Sequence, residues 1–496
     1  MKRIFSSPIA ALVAGLALRL FFVLRFPADS GDTVLYEQIT TNWLKHYAYA
    51  MDVHGALTPV DLRMPGYPVF LALVYAITWH TGESARLWVR LAQVLVDLLG
   101  CLVIAVLAAG LLLLADTSSQ MADPIKQMKR VFTAGLWLAV LCPFSANYTA
   151  VLLTETLAIF LTAVATVLLT GVAANSHYLV FPKPRRRWEP TWSEDFRFFA
   201  ASSGLAVGFG TLFRPEAPLL LVAAWVGNAF VLLPHRQAKH LLRIILYTSV
   251  GCVVPLVPWG LRNAVTLHEF QILAPKYSTL PGELVPYGFM AWEKTWLYRV
   301  RDCYLVSWKL NEESIDIDAI PARAFDSPEE KGRVAVILEQ YNDELTLTPE
   351  EDAAFGQIAR ERTARHPLRT YLWVPAARAA VIWLSPRIEL LPISGHVFPL
   401  AYMREEDPVD QEFTSLLFML NIVYVGLGVW GGVRLWRASV PSRPVILFFV
   451  VFILLRTAFL TTLETPEPRY VLVCFPLLMA LGAQLFVRMN AQPSPG

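Results

Sequence analysis

Residues 63–79 read Arg-Met-Pro-Gly-Tyr-Pro-Val-Phe-Leu-Ala-Leu-Val-Tyr-Ala-Ile-Thr-Trp, and whether their apolar half crosses a membrane decides the topology of the whole chain. The uncharged run from Pro68 to Trp79 begins with a proline and is 12 residues long. At about 1.5 Å per residue it reaches only ~18 Å as a helix, against a hydrocarbon layer of ~30 Å. The stretch around it, residues 27–85, also carries Gly31-Asp32, Tyr36 and Glu37 just after the first hydrophobic segment. A carboxylate therefore stands a few residues from a membrane exit.

Composition fixes the class. The chain is 55% hydrophobic with 15 Trp, its mean hydropathy is +0.46, and apolar runs of membrane-spanning length recur along it. Ten candidate spans are read at about 8–26, 88–114, 131–147, 150–172, 198–213, 216–233, 241–259, 414–436, 445–463 and 469–488. The expected fold is an all-α polytopic membrane protein. The net charge of +2 gives no footprint for nucleic acid. Four of the five cysteines lie in apolar runs, Cys303 stands alone, and no CxxC pair exists, so neither a disulfide framework nor a zinc site is expected. Met1-Lys2-Arg3 before an apolar run has the look of a signal peptide, but apolar residues resume past Arg19 to Phe26, and an uncleaved first span is expected.

Charge then orients the spans. The linkers 115–130, 173–197, 234–240 and 434–444 hold thirteen Lys or Arg, whereas the alternate connections 148–149, 214–215 and 464–468 hold only Arg214. Under the positive-inside rule all four basic linkers and both termini are cytoplasmic only if 68–79 does not cross. That segment is therefore expected as a membrane-parallel helix in a first external loop, 27–87. The domain reading is an N-terminal transmembrane catalytic module at 1–259, a small mixed external region at 260–413 with interfacial helices, and C-terminal transmembrane helices at 414–496. Within the external region, Thr348-Pro349-Glu350-Glu351 reads as a capping box opening a helix that His366-Pro367 stops.

Candidate chemistry gathers at the outer edges. No histidine lies inside a proposed span, and HExxH, GxxxxGK[ST] and GxGxxG motifs are absent, which disfavours a zinc protease or a nucleotide-dependent enzyme. Asp32 is a candidate general base, with a helix cap as its structural alternative, because Ser30-Gly31-Asp32-Thr33 opens a helix. Glu155 falls about five residues into an apolar span, where an ionised group costs roughly 2.5–3.5 kcal/mol at a helix centre and needs a partner or a task. Arg214 occupies the external turn Arg214-Pro215-Glu216, with Gly204, Gly208 and Gly210 before it permitting close helix packing. Its planar fork of donors suits a phosphate, with snorkelling to headgroups as the alternative. Arg262 and Arg469 are similar outer-edge cations, and their number favours an anionic, membrane-embedded ligand. Arg19, Asp97 and Arg456 are expected to pair between helices.

Seven stretches together resemble the GT-C superfamily of integral membrane glycosyltransferases, specifically the bacterial family-39 protein-mannosyltransferase and lipid A aminoarabinose transferase group. They are LRLFFVLRF (18–26), GDTVLYEQITTNWL (31–44), RMPGYPVFLALVYAI (63–77), LLTETLAIFL (152–161), GLAVGFGTLFRPEAPLLL (204–221), VPWGLRN (257–263) and EPRYVLVCFPLL (467–478). The resemblance implies an inverting transfer of a hexosyl or pentosyl group from a polyprenyl-phosphate donor to a hydroxyl of a lipid, glycan or protein acceptor. The reaction would run on the periplasmic face of a bacterial inner membrane. It implies Asp32 as general base, Glu155 as a second acid, Tyr36 as the aromatic that follows the base, Arg63 and Tyr67 in the second loop motif, and Arg214 at the carrier phosphate. Thr33 stands where many relatives have a second acid, and Arg63-Met64 where relatives have an acidic residue. No obligatory cofactor is expected, and a divalent metal is not favoured. Two rival functions stand beside this one: a non-catalytic lipid or solute transporter or flippase, and a ligase moving a whole lipid-linked glycan.

Overall fold

The computed structural model describes residues 7–115, 123–182, 196–275, 277, 279–280, 283–385, 391, 393 and 408–487. Among the described residues, seven helices are long and apolar enough to cross a membrane: Pro8–Arg25, Gly82–Ala115, Glu155–Val180, Ala238–Thr266, Pro408–Ala438, Arg443–Thr461 and Pro468–Phe486. Pro124–Val140 and Pro143–Ala150, bent by 48° at their junction, make an eighth if counted as one span. The strands among the described residues are one short antiparallel hairpin, Ala50–Val53 with Ala56–Pro59. The chain is an all-α, integral, multi-pass membrane protein.

Two of the ten apolar runs form shorter helices, Phe196–Thr211 with 16 residues and Leu219–Leu232 with 14. These reach about 24 and 21 Å, because the turn carrying Arg214 and Pro215 takes up the residues between them. The run 68–79 is a helix, Gly66–Thr78. Its buried face is Tyr67, Leu71, Val74 and Tyr75, while Val69, Leu73 and Ile77 are exposed. The helix expected from residue 150 starts only at Glu155 and runs on to Val180. It therefore takes in the buried His177, contrary to the expectation that no histidine lies within a span. Of the basic linkers that orient the chain, Lys183 and Arg185 to Arg187 lie outside the described residues.

The chain divides into two compact units, one of residues 1–275, 387–455 and 472–496, the other of 276–386 and 456–471. In the first, helices meet where side chains vanish. A Cβ on Gly204 would lie 2.2 Å from the Thr248 carbonyl oxygen, one on Gly208 2.3 Å from that of Cys252, and one on Gly251 2.4 Å from that of Ala201. Phe196–Thr211 and Ala238–Val253 are thus locked backbone to backbone. Of the intramembrane charges, Arg19 and Asp97 pair between helices as expected. The fully buried Arg19 donates through Nε to Asp97 Oδ2 at 2.6 Å and through Nη1 to the Val140 carbonyl at 2.8 Å, which removes the cost of two isolated ions.

The second unit has its own core of Phe289, Trp292, Trp296, Tyr341 and Phe355. The capping box at Thr348 is present: its Oγ1 accepts from the Glu351 amide at 3.2 Å, and its own amide donates to Glu351 Oε2 at 2.8 Å. The helix Pro349–Arg365 that follows ends at His366. Arg456 donates to the Tyr470 carbonyl at 2.8 Å. Glu293 is buried in this unit, hydrogen-bonded by Ser307. Burial pushes its carboxyl up to about 8 and Glu464 adds to the rise, while the Ser307 bond, Arg378 and Lys294 oppose it.

An unfolded glutamate titrates near ~4.3. Between that value and about 8 the folded chain therefore holds a proton that the unfolded chain has lost. The contribution to stability is complete at low pH and is lost as pH rises through 8. Thermal unfolding in detergent between pH 5 and 9 should show a melting temperature that falls with pH, and Glu293→Gln should flatten that fall. An identical slope in the two proteins would show that Glu293 is not the group responsible.

Candidate active site

Asp32 is the second residue of the helix Gly31–His46, and it does not cap that helix. Its neighbour does: the Ser30 amide donates to Thr33 Oγ1 at 3.0 Å, and Thr33 Oγ1 donates to the Leu152 carbonyl at 3.3 Å. The structural alternative for Asp32 is thereby taken by Ser30 and Thr33. The Asp32 carboxylate instead accepts from Arg63 Nη2 at 2.6 Å. Both side chains keep contact with solvent, 32% exposed for Asp32 and 25% for Arg63. The arginine's main chain is held in place, since Tyr49 donates its hydroxyl to the Arg63 carbonyl at 2.8 Å and Met64 Sδ accepts from the Ala274 amide at 3.1 Å.

Glu155 opens the helix Glu155–Val180 and pairs with Arg214. The acid is 3% exposed and the arginine 19%. A first-turn carboxylate also meets the positive end of the helix dipole, so the cost expected for an acid at a span's centre does not arise here. The arginine is fixed by its turn, where its amide donates to the Gly210 carbonyl at 2.9 Å and its carbonyl accepts from the Ala217 amide at 3.0 Å.

The two acids are brought together by main chain. Ala28 and Val151 form an isolated parallel bridge, with the Ala28 amide on the Ala150 carbonyl at 3.2 Å. Together with the Thr33 to Leu152 bond, this runs the segment before Asp32 alongside the segment before Glu155. The third segment of the assembly is the Arg63 motif itself. The Gly66 amide donates to the Leu212 carbonyl at 2.9 Å, and a Cβ on Gly66 would lie 2.5 Å from that oxygen. Glycine is what lets the motif seat on the turn that carries Arg214.

Tyr36 and Tyr67 fill the space between these pairs, both buried, with ring centroids 4.9 Å apart and edge to face. Burial pushes the Tyr36 hydroxyl up to about 12. Asp32 and Glu155 add to that rise, and Arg63 and Arg214 oppose it, so all four charges act on this one phenol. The Tyr67 hydroxyl donates to Gln93 Oε1 at 2.8 Å.

Several residues that hold this arrangement were not anticipated. Arg86 grips Glu37 with two bonds of 2.9 and 2.8 Å and reaches Asp29 at 2.9 Å. Arg90 holds Asp29 at 2.7 Å and the Ala150 carbonyl at 2.9 Å. The fully buried Gln93 donates to the Val151 and Thr149 carbonyls at 2.8 and 3.1 Å. Arg86, Arg90, Gln93 and Asp97 follow one another at spacings of four, three and four, a polar stripe on one helix face. That stripe, at the start of an otherwise apolar run, is the signal that could have found them.

Arg262 and Arg469 make other contacts. Arg262 donates to the Val60 carbonyl at 2.8 Å and to that of Tyr49, with its guanidinium 5.2 Å from the rings of both Tyr49 and Trp259. It braces the hairpin of the same connection. Arg469 belongs to the second unit, where it pairs with Glu467 and lies 5.3 Å from the Tyr470 ring. Among the described residues no group of three or more His, Cys, Asp or Glu is arranged to hold a metal ion.

No family model matches the sequence, and no curated protein matches it either. Solved structures are similar at low identity. Along 96% of its length the chain is similar to the archaeal oligosaccharyltransferase AglB from Archaeoglobus fulgidus in complex with an inhibitory peptide and a dolichol-phosphate, at 13% identity and a TM-score of 0.44. It covers 50% of that protein, about half its length. It is also similar to ArnT from Cupriavidus metallidurans bound to undecaprenyl phosphate, at 13% identity and a TM-score of 0.40, covering 96% of this chain and 77% of that one.

The Gly66 contact is open to direct test. Gly66→Ala places a methyl against a carbonyl that cannot rotate away, and overpacking of this kind costs about 1–3 kcal/mol. The variant should melt below the native protein in detergent, and Gly66→Val lower still. Equal melting temperatures for all three would show that the motif does not depend on this close approach.

Proposed function

We propose that this protein is an inverting membrane glycosyltransferase of the GT-C kind. It would move a single hexosyl or pentosyl group from a polyprenyl-phosphate donor to a hydroxyl of a lipid, glycan or protein acceptor. The reaction is placed on the periplasmic face of a bacterial inner membrane, in a chain that crosses ten times with both termini cytoplasmic and with Gly66–Thr78 lying parallel to the bilayer. The exposed apolar stripe Val69, Leu73 and Ile77 supports that last placement.

The observation that carries the proposal is the pairing of two acids from separate segments with two arginines, Asp32 with Arg63 and Glu155 with Arg214, around the buried Tyr36. Transfer from a carrier phosphate needs two things of a protein: a base for the acceptor hydroxyl, and cations to stabilise the charge on the departing phosphate. Asp32, part-exposed, takes the proton as the hydroxyl oxygen forms its bond to the anomeric carbon. The bond from that carbon to the phosphate oxygen breaks, and the electron pair leaves with the phosphate. Arg63 and Arg214 receive the phosphate; Glu155 holds Arg214; the buried Tyr36 and Tyr67 back the substrate site from within. Arg262, engaged with main-chain carbonyls, is assigned to bracing the loop. The donor lies among membrane lipids, and no nucleic acid is involved.

Each acid already has a guanidinium that offsets its charge and weakens its pull on a divalent cation. No obligatory metal is therefore proposed. Transfer by purified protein in lipid from radiolabelled polyprenyl-phosphate sugars should survive EDTA, and loss restored by Mg²⁺ or Mn²⁺ would overturn the metal-free assignment. Asp32→Asn should lower transfer by roughly 10²-fold or more, the range of a lost general base. Undiminished transfer in that variant would remove Asp32 from its role.

A further inference from the structure

The two acid–arginine pairs are built differently, and the difference bears on how the site is switched on. Glu155 is almost wholly buried, stands at a helix start, and faces an arginine whose own turn is fixed. Pulling Arg214 away would strand a buried carboxylate, which proteins resist strongly. Asp32 and Arg63 are each a quarter to a third exposed, and pairs of that kind are weak because water competes for both partners. The main chain under Arg63 is anchored at Tyr49 and through Met64, and Nη1 donates to the Leu62 carbonyl at 3.0 Å, so Nη2, the donor to Asp32, can turn to a phosphate while the root of the side chain stays put. Asp32, left behind, still sits in the first turn of a 16-residue helix, whose positive end favours its ionised form.

We propose that Arg63 is shared between Asp32 and the donor, so that the base is released only when the phosphate arrives. The inference rests on the reading of this site as one that takes a carrier phosphate. Before binding, Arg63 neutralises Asp32 and weakens it as a base. An incoming phosphate monoester or diester draws the Arg63 guanidinium onto its own oxygens, and Asp32, now without that cation, becomes the stronger proton acceptor. Arg214 stays with Glu155 and supplies the fixed half of the phosphate contact. Donor and carboxylate are then competitors for one cation, and the competition is visible in binding alone, without any turnover.

The test is a binding cycle on the full-length protein in lipid nanodiscs, with a sugar-free polyprenyl monophosphate as the probe. Asp32→Asn removes the competitor and should bind the probe about fivefold more tightly than the native protein. Asp32→Glu keeps the charge and should bind as the native protein does, which separates competition from a general disturbance of the loop. Arg63→Gln should bind at least tenfold more weakly, and adding Asp32→Asn to it should bring no tightening, since the shared cation is gone. Native-like melting of Asp32→Asn shows that the comparison is made on folded protein. Equal or weaker binding by Asp32→Asn would overturn the exchange while leaving a transferase site in place. No binding of the probe to any form would overturn the carrier-phosphate reading and the exchange with it.

Discussion

The amide of Gly66 on the carbonyl of Leu212 is the contact on which the rest of the site depends. It joins two segments about 150 residues apart in sequence and brings the arginine of one within the same small volume as the arginine of the other. Any side chain at position 66 would hold the segments apart, since even a Cβ would sit 2.5 Å from the carbonyl oxygen. Once this seat is made, Arg63 can meet Asp32 and Tyr67 can pack on Tyr36. The parallel bridge of Ala28 and Val151 then closes the third side by setting the Asp32 and Glu155 segments in register. Three connections with little regular structure of their own are thereby made into one rigid floor, held by main-chain bonds that the surrounding helices shield from water.

Around that floor the protein spends arginines on positioning. Arg86 and Arg90 fasten Asp29 and Glu37, on either side of Asp32, to the first turns of a long helix. Arg262 braces the hairpin from its other side. None of these need touch a substrate to matter. A base within a few tenths of an ångström of its place is worth more to a displacement reaction than one on a mobile loop. The density of ion pairs here follows from how short and irregular the segments are that carry the chemistry.

Much of this was legible in the sequence, and what was not has physical reasons. Asp32, Glu155, Arg63 and Arg214 each stand out as a charge near an apolar boundary, but sequence does not say which acid meets which arginine, because the partners are 31 and 59 residues apart. The start of the helix at Glu155 was hidden by Ala150 to Leu153, whose hydropathy suits a span although their backbone is bridged to Ala28 instead. The two shorter helices on either side of Arg214 read as full spans for the same reason: apolar content does not reveal where a turn is cut. By contrast, the capping box at Thr348 and the intramembrane pairing of Arg19 with Asp97 were readable, since both follow from local chemistry or from the cost of an unpaired charge in lipid. The helix at 66–78 was readable from the shortness of its apolar run taken with the charges of the linkers.

The central claim is that a single base and an arginine-held leaving phosphate perform one displacement at the anomeric carbon. The measurement that bears on it most directly is the anomeric configuration of the product, read by nuclear magnetic resonance after transfer from a donor of defined configuration. One displacement with Asp32 as base gives complete inversion. Retention would contradict the account, because it requires a covalent or doubly displaced intermediate and would make an acid of this site a nucleophile.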